Sequence, residues 1–289
     1  MTQKAITSTI GKVFLALALL MLSNGCTSIV VRPLLGPVEL SLQKQTDLEL
    51  IKDGAPALLL LLDGLIAGDP NNQDLLMAAT KAYGAYAATL HQANEVERAV
   101  TMSKKAKTYG IALLNQLPGL KNFKDLTFEE CCNALDKIRQ KNVGPMFWGA
   151  YGWAVWVQYQ EGSPSSMADL PIIEYIMLKV VELNDSYYYG GAHIFLGAYY
   201  SSRAPMFGGK PVESRKHFDR ALEISDRKFL LTQVAYAETY ARMMFDKELY
   251  QNLLNEVLNQ PLEDNVMASN NKLAQVLAKK LLDATDEYF

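Results

Sequence analysis

The sequence predicts an all-α protein, built from degenerate helix pairs packed as a compact α-solenoid or bundle. No stretch of the 289 residues shows the sustained period-two alternation that half-buried strands require. Apolar residues recur instead at steps of three and four, as in the run Leu75, Leu76, Ala79, Ala82 and Tyr83. Segments rich in Pro, Gly, Asn and Asp divide the chain into about ten such stretches.

Helix-breaking segments separate these stretches and set the predicted ends of the helices in order along the chain. They lie at residues 69–72, 118–119, 162–164, 184–185, 203–211 and 260–261. Thr127 and Glu130 add a capping box, which predicts a helix that begins just after Thr127. The same helix would carry Cys131 and Cys132, which point about 100° apart and are therefore expected to be small apolar side chains in the core.

The N-terminal region has the organisation of a secretory signal peptide. Lys4 and Lys12 precede the apolar run 13–22, which is too short to span a bilayer. Cys26 follows Gly25 at the position where lipoprotein signals place the acylated cysteine, although Leu22 lies one position further upstream than usual. An ordinary signal peptide with an incidental cysteine is the alternative.

These features predict three segments in the chain. They are a lipoprotein signal peptide over 1–25, a lipidated tether over 26–42 and a single helical-repeat domain over 43–289. Acyl chains on Cys26 would attach the protein to a membrane by a lipid anchor only. Thr27, directly after the cysteine, favours the periplasmic side of the outer membrane over the inner one.

The charge balance excludes some partners. The net charge is −3, and it becomes more negative once Lys4 and Lys12 are removed with the signal peptide. There is no run of Lys or Arg. This composition argues against nucleic acid as a partner and against electrostatic binding to a membrane surface.

Two half-patterns of a helix-pair repeat recur along the chain. The first half is present at 148–155, as Trp148 followed by Tyr151-Gly152, and again at 196–200, as Leu196-Gly197 and Tyr200 without the leading Trp. The second half, in which two small residues lie seven positions apart, is present at 99–106 and 214–221. Together they follow a degenerate tetratricopeptide pattern, in which a small residue lets a second helix approach and a large one fills the gap.

Gly208, Gly209 and Lys210 also suggest a phosphate-binding loop. The spacing excludes that interpretation, because Ala204 stands where the first glycine is required and Pro211 stands where a hydroxyl is required. We therefore interpret 203–210 as an enlarged loop between two helices of one repeat, with Pro211 in the first turn of the second helix.

At this point several segments together resemble a known family. They are "GAPALLLLLDGLI" (54–66), "DPNNQDLLMAATKAYGAYA" (69–87), "MFWGAYGWAVWV" (146–157) and the stretch 187–225. Their order, behind a lipoprotein signal, resembles the T component of tetratricopeptide-associated TRAP transporters, the TatT family. The residues that match the family pattern are Pro56, Leu75, Tyr86, Trp148, Gly152, Gly191, His193, Gly197, Gly209, Phe218 and Ala221.

The resemblance implies a periplasm-facing lipoprotein with a compact fold of cryptic tetratricopeptide repeats. It implies an accessory role in a tripartite ATP-independent periplasmic (TRAP) transport system, in association with its periplasmic solute-binding protein. The family has no established catalytic residues that could be assigned to positions in this chain. An envelope-assembly scaffold lipoprotein that binds a protein partner through its repeats is the alternative function, and a helical cell-wall lytic enzyme is a third.

The aromatic helix predicted around 146–157 is apolar nearly all round, so it is either core or the lining of a cavity. Trp148 and Trp156 lie eight residues apart, as do Tyr151 and Tyr159, so each pair would share a helix face. The functional interpretation is a pocket or channel for an apolar small molecule, lined by these four residues.

A second group of residues suggests a surface for a protein partner. Its members are Tyr187, Tyr188, Tyr189, His193, Arg203, Met206 and Phe207. Met206 and Phe207 lie near the tip of the predicted loop, where apolar side chains would be exposed. The alternative for the tyrosines is that they are half-buried turn residues at the start of the helix that carries His193.

The sequence shows no pattern typical of catalysis or metal binding. His193 and His217 could face each other across one helix pair, with Glu213 nearby, but a metal site needs three or four ligands. We therefore expect no enzyme activity, no cofactor and no metal. Homo-oligomers remain open, since helical solenoids often self-associate.

Overall fold

The computed structural model describes residues 27–160 and 162–289, with side chains from Leu35 onward except Glu161. The predicted signal peptide and Cys26 lie outside the described residues. Every regular element in the described part of the chain is helical, which confirms the all-α prediction. A π-helical turn, Tyr236–Ala241, continues directly from one α-helix, and short 3-10 turns lie at Phe123–Asp125, Gln140–Asn142 and Pro205–Phe207.

The α-helices follow the predicted order, and short ones fill the linkers. They are α1 (Thr27–Lys44), α2 (Leu48–Gly68), α3 (Gln73–Gln92), α4 (Val96–Asn115), α5 (Phe128–Leu135), α6 (Val143–Gln158), α7 (Pro164–Met167), α8 (Leu170–Asn184), α9 (Tyr187–Ser201), α10 (Pro211–Ile224), α11 (Leu231–Ala235), α12 (Lys247–Asn259), α13 (Ala268–Asp283) and α14 (Thr285–Tyr288).

Side-chain caps explain several helix starts. The Asn72 side chain accepts a hydrogen bond from the Leu75 N–H at 3.2 Å, so the polar linker 69–72 ends α2 and starts α3. The predicted capping box of Thr127 and Glu130 is confirmed at the start of α5. Pro211 is the first residue of α10, as predicted, where its missing N–H costs nothing.

The helices pack as antiparallel pairs around two neighbouring cores. One core is formed by residues from α2 to α9, and the other by residues from α10 to α13. Helix α9 contributes to both, because Leu196 packs in the first core whereas Ile194 and Ala198 pack against the second. Helix α9 therefore joins the two halves of the molecule.

Glycines set the close approach of the helices, as the repeat pattern predicts. A Cβ on Gly152 of α6 would lie 2.5 Å from the Ala106 carbonyl oxygen of α4. A Cβ on Gly197 of α9 would lie 2.8 Å from the ring of Phe218 on α10. These contacts confirm the pairing of a small residue with a neighbouring helix that the sequence pattern indicates.

Residues 27–44, most of which the sequence assigns to a tether, form helix α1 despite Pro33, Gly36 and Pro37. Its C-terminal half lies against the domain. Leu35 packs on the first core, and the Glu39 carboxylate accepts a hydrogen bond from Lys81 Nζ at 2.8 Å. Lys44 lies 3.4 Å from the carboxylate of Asp264, just before α13. Tertiary contacts here override the local preference for irregular chain.

Candidate functional site

Helix α6 is buried on nearly every side, and Trp148 is at the centre of its aromatic contacts. The indole N–H of Trp148 donates to the Tyr187 hydroxyl at 3.1 Å, and the ring of Tyr188 lies 4.7 Å from the Trp148 ring, edge to face. Lys81 Nζ lies 4.7 Å from the indole centroid on the other side. This arrangement ties α3, α6 and α9 together and brings the first two tyrosines of the run to the aromatic helix.

Tyr151 follows one turn later on the same helix. Its ring lies 5.2 Å from that of Trp148, and a Cβ on Gly84 would lie 2.7 Å from it, so the ring fills the space that this glycine leaves. Burial raises the pKa of the Tyr151 hydroxyl well above its usual range. The side chain as a whole is partly buried, and its hydroxyl oxygen would lie 3.1 Å from the same Cβ, so this end of Tyr151 is packed as well.

Trp156 and Tyr159 make separate contacts. Lys107 Nζ lies 3.3 Å above the Trp156 ring and 3.0 Å from the Asp169 carboxylate, which also accepts a hydrogen bond from the Trp153 indole. Tyr159 lies against His91 of α3, with ring centroids 5.0 Å apart. Tyr159 also packs with Ala87 and Val155 in a small cluster that Tyr151 joins. The structure thus brings Tyr151 together with both Trp148 and Tyr159, whereas Trp156 faces α4.

The tyrosine run has an unusual backbone. Tyr188, Tyr189 and Gly190 have φ values of 47°, 58° and 74°, so three successive residues are left-handed and the regular helix starts after them. Such a conformation costs a non-glycine residue about 1–2 kcal/mol. Ring packing offsets this cost, because Tyr189 stacks on the buried Phe229 with centroids 4.7 Å apart. The three tyrosines are half-buried.

The loop 203–210 connects α9 to α10, which confirms its predicted position. Met206 and Phe207 are 82% and 70% exposed at its tip. Gly209 is essential to its shape, because a Cβ there would lie 1.9 Å from the Arg203 carbonyl oxygen. The Arg203 guanidinium lies 5.2 Å from the Tyr199 ring. The loop lies at the opposite end of α9 from the tyrosine run, so the predicted partner residues fall into two separate groups.

His193 belongs to neither group. It is 6% exposed, and its Nδ1 lies 2.8 Å from Nδ1 of His217 on α10, which confirms that the two histidines face each other across one helix pair. One of the two nitrogens must donate and the other accept. Within the described residues, no cluster of three or more His, Cys, Asp or Glu side chains could hold a metal ion.

A surface recess of about 360 Å³ lies elsewhere, along α4 and the 3-10 turn at Phe123–Asp125. Its lining residues are Thr108, Ile111, Ala112, Asn115, Asn122, Lys124 and Asp125. None of the four predicted pocket residues lines this recess.

Comparison with known families adds the decisive observation. The family model described as the TRAP transporter T-component matches residues 44–289. The chain belongs to the TRAP transporter T-component family. The comparison with curated proteins finds no significant match.

Membership makes this T-component an accessory protein of a TRAP transport system and places it in the cell envelope. In the described part of the chain, no helix combines the length and apolar character needed to cross a bilayer. The expectation of no enzyme activity stays a prediction.

Sequence reasoning missed several residues of this T-component that the structure makes prominent. Val212, Met244 and Phe245 are 66%, 43% and 78% exposed, and Phe245 has a φ of 53°. Glu238 lies on the π-helical turn, and its charge adds to the burial that raises the pKa of Tyr159 to about 12. Hydrophobic periodicity does not distinguish an apolar residue at a loop tip from one in the core. Only the structure therefore identifies Val212, Met244 and Phe245 as exposed.

Proposed function

We propose that this T-component docks the solute-binding protein of its TRAP transport system and receives an apolar solute at the aromatic helix. The docking part of this proposal rests on the exposed tip of the loop 203–210. Met206 and Phe207 are two large apolar side chains held in water by a loop whose shape depends on Gly209. Exposed apolar groups on an ordered loop are typical of protein-binding surfaces.

The solute part of the proposal rests on Trp148, Tyr151 and Tyr188. Their rings form one contiguous cluster, in which Trp148 contacts both tyrosines edge to face. Aromatic walls with few polar groups are typical of sites for apolar small molecules. Tyr159 and Trp156 would extend this lining toward the far end of α6.

Attachment by acyl chains on Cys26 and a position at the outer membrane are part of the same proposal. The order of the N-terminal features supports them: a basic start, a short apolar run, and a cysteine directly after Gly25. A T-component on such an anchor would keep its loops available to partners in the periplasm.

An affinity purification of the full-length protein from its native envelope tests the docking. We expect a periplasmic solute-binding protein in stoichiometric amount, identified by mass spectrometry. Phe207→Glu should reduce its recovery about 10-fold, because a charge at a desolvated contact costs more than 1.4 kcal/mol. The far-ultraviolet circular dichroism should stay unchanged, since this side chain packs little on its own protein. Recovery of envelope-assembly factors instead would make the protein a scaffold.

Binding of the apolar fluorescent probe N-phenyl-1-naphthylamine tests the solute site. We expect saturable binding to the delipidated protein, and Tyr151→Glu should weaken it at least 10-fold by placing a charge among the rings. Phe207→Glu is the control and should bind the probe like the unchanged protein. Equal binding by all three proteins would show that α6 is plain core.

A further inference from the structure

Two exposed loop tips lie at the same edge of the second half of the molecule. One is the tip of the loop 203–210, between α9 and α10. The other is formed by Met244 and Phe245, between the π-helical turn and α12. Both are connections from the first to the second helix of a pair, and in a stack of antiparallel pairs such connections share one edge.

Contacts between the helices fix the register that brings these tips together. Phe218 of α10 stacks on Tyr236, with ring centroids 4.6 Å apart, and one turn further along, the Arg215 side chain reaches that of Tyr240. Extending this register by one more turn leads to Val212, at the start of α10, and to Met244, just after the π-helical turn. Packed helices lie about 8–10 Å apart, so Val212 bridges the two tips.

We infer that the partner-docking surface of this T-component is bipartite, and that it consists of Met206, Phe207, Val212, Met244 and Phe245, here called the apolar edge. This inference rests on the proposed function and extends it to a second loop. The occupant that fits is the folded solute-binding protein, seated across both tips at once.

The area of the apolar edge supports a folded protein as the occupant. Exposed side chains of this size together offer on the order of 600 Å² of apolar surface. A standard protein interface buries about 800 Å² on each partner. One tip alone offers about half the area of the edge, which is well short of what each side of a standard interface buries.

The second tip is held in place by its own surroundings. Phe245 has a left-handed backbone, and its ring lies 6.5 Å from that of Phe289 at the C-terminus. Phe289 in turn packs on the buried Tyr250, with centroids 5.2 Å apart. The Phe245 side chain thus stays 78% exposed on an ordered support. A rigid apolar tip binds with little loss of conformational entropy.

The test measures the affinity of the full-length T-component in detergent for the purified solute-binding protein of the same transporter. We expect Phe245→Glu and Phe207→Glu each to raise Kd about 10-fold, and the double variant to raise it about 100-fold. Phe128→Glu is the matched control, because Phe128 is 54% exposed on α5, outside the edge. It should leave Kd unchanged.

The outcomes separate the two proposals. Loss of affinity in Phe207→Glu with none in Phe245→Glu keeps the docking function and overturns the bipartite edge. No binding by the unchanged protein overturns both. The oligomeric state of each variant is measured by light scattering. If Phe245→Glu dissolves an oligomer and leaves Kd for the solute-binding protein unchanged, the edge is an interface between copies of this chain, which also overturns the inference.

Discussion

Replacing Gly152 by alanine is expected to lower the free energy of unfolding by about 3 kcal/mol, because α4 and α6 cannot move apart cheaply. The new Cβ would lie 2.5 Å from the Ala106 carbonyl oxygen and 2.6 Å from the Thr80 side chain. The first of these atoms is backbone in a buried helix, so the strain falls on the packing of the whole first core. Urea unfolding followed by far-ultraviolet circular dichroism measures the change.

Gly64→Ala is the matched control for this substitution. Gly64 lies inside α2, and apart from its own stretch of that helix no described residue comes within 4 Å of the position where its Cβ would be. Alanine there should raise the free energy of unfolding by about 1 kcal/mol, since it restricts the unfolded chain and favours helix. If Gly152→Ala raised the free energy of unfolding as Gly64→Ala does, helix propensity rather than close packing would decide the effect at Gly152.

The second large effect is a loss of stability in mild acid that depends on His193. Burial, and then the charge of His217, lower the pKa of His193 from 6.5 to about 4 in the folded protein. Between these values the unfolded chain binds more protons than the folded one, so stability rises with pH. We expect a loss of about 3 kcal/mol as the pH falls from 6.5 to 4, and no further loss from this residue below 4.

Neighbouring charges modulate the histidine pair without reversing the effect. Asp185 raises the pKa of His193 and Arg220 lowers it, but both contribute less than burial and His217. Burial also lowers the pKa of His217. If both rings were protonated, their Nδ1–H groups would face each other at the 2.8 Å contact. The repulsion between these groups would push α9 and α10 apart.

Thermal melts between pH 4 and pH 7 measure this dependence. His193→Leu should flatten the curve over that range, because a leucine at the site needs no proton in either state. A His193→Leu protein with the full acid sensitivity of the unchanged chain would contradict the assignment to this pair.

The helices of this fold are predictable because their ends are encoded locally. Asn72 caps α3, Thr127 and Glu130 start α5, and Pro211 starts α10, each through contacts within one turn. The close approach of Gly197 to Phe218 is predictable for a related reason, since the repeat pattern pairs a small residue with a large one. The contact between the two histidines follows from the same pairing.

Other features depend on contacts between distant residues and leave no local signal. Tyr188 and Tyr189 are poor candidates for a left-handed backbone, and only the packing of their rings on Trp148 and Phe229 holds them there. The π-helical turn adds one residue to a helix, which hydrophobic periodicity does not reveal. Of the predicted pocket, Trp148 and Tyr151 lie together, whereas Trp156 faces Lys107 because the turns of α6 meet different neighbours.

Helix α1 changes how an anchored protein of this kind would move. An acyl group on Cys26 would be joined to the domain by a helix that begins at Thr27 and packs on the domain from Leu35 onward, rather than by a loose chain. A flexible linker would let the domain adopt every orientation relative to the membrane. A helix that is fixed to the domain by the ion pairs of Glu39 and Lys44 would instead restrict that orientation. The same side of the domain would then face the periplasm, so a soluble partner would meet it in one preferred orientation.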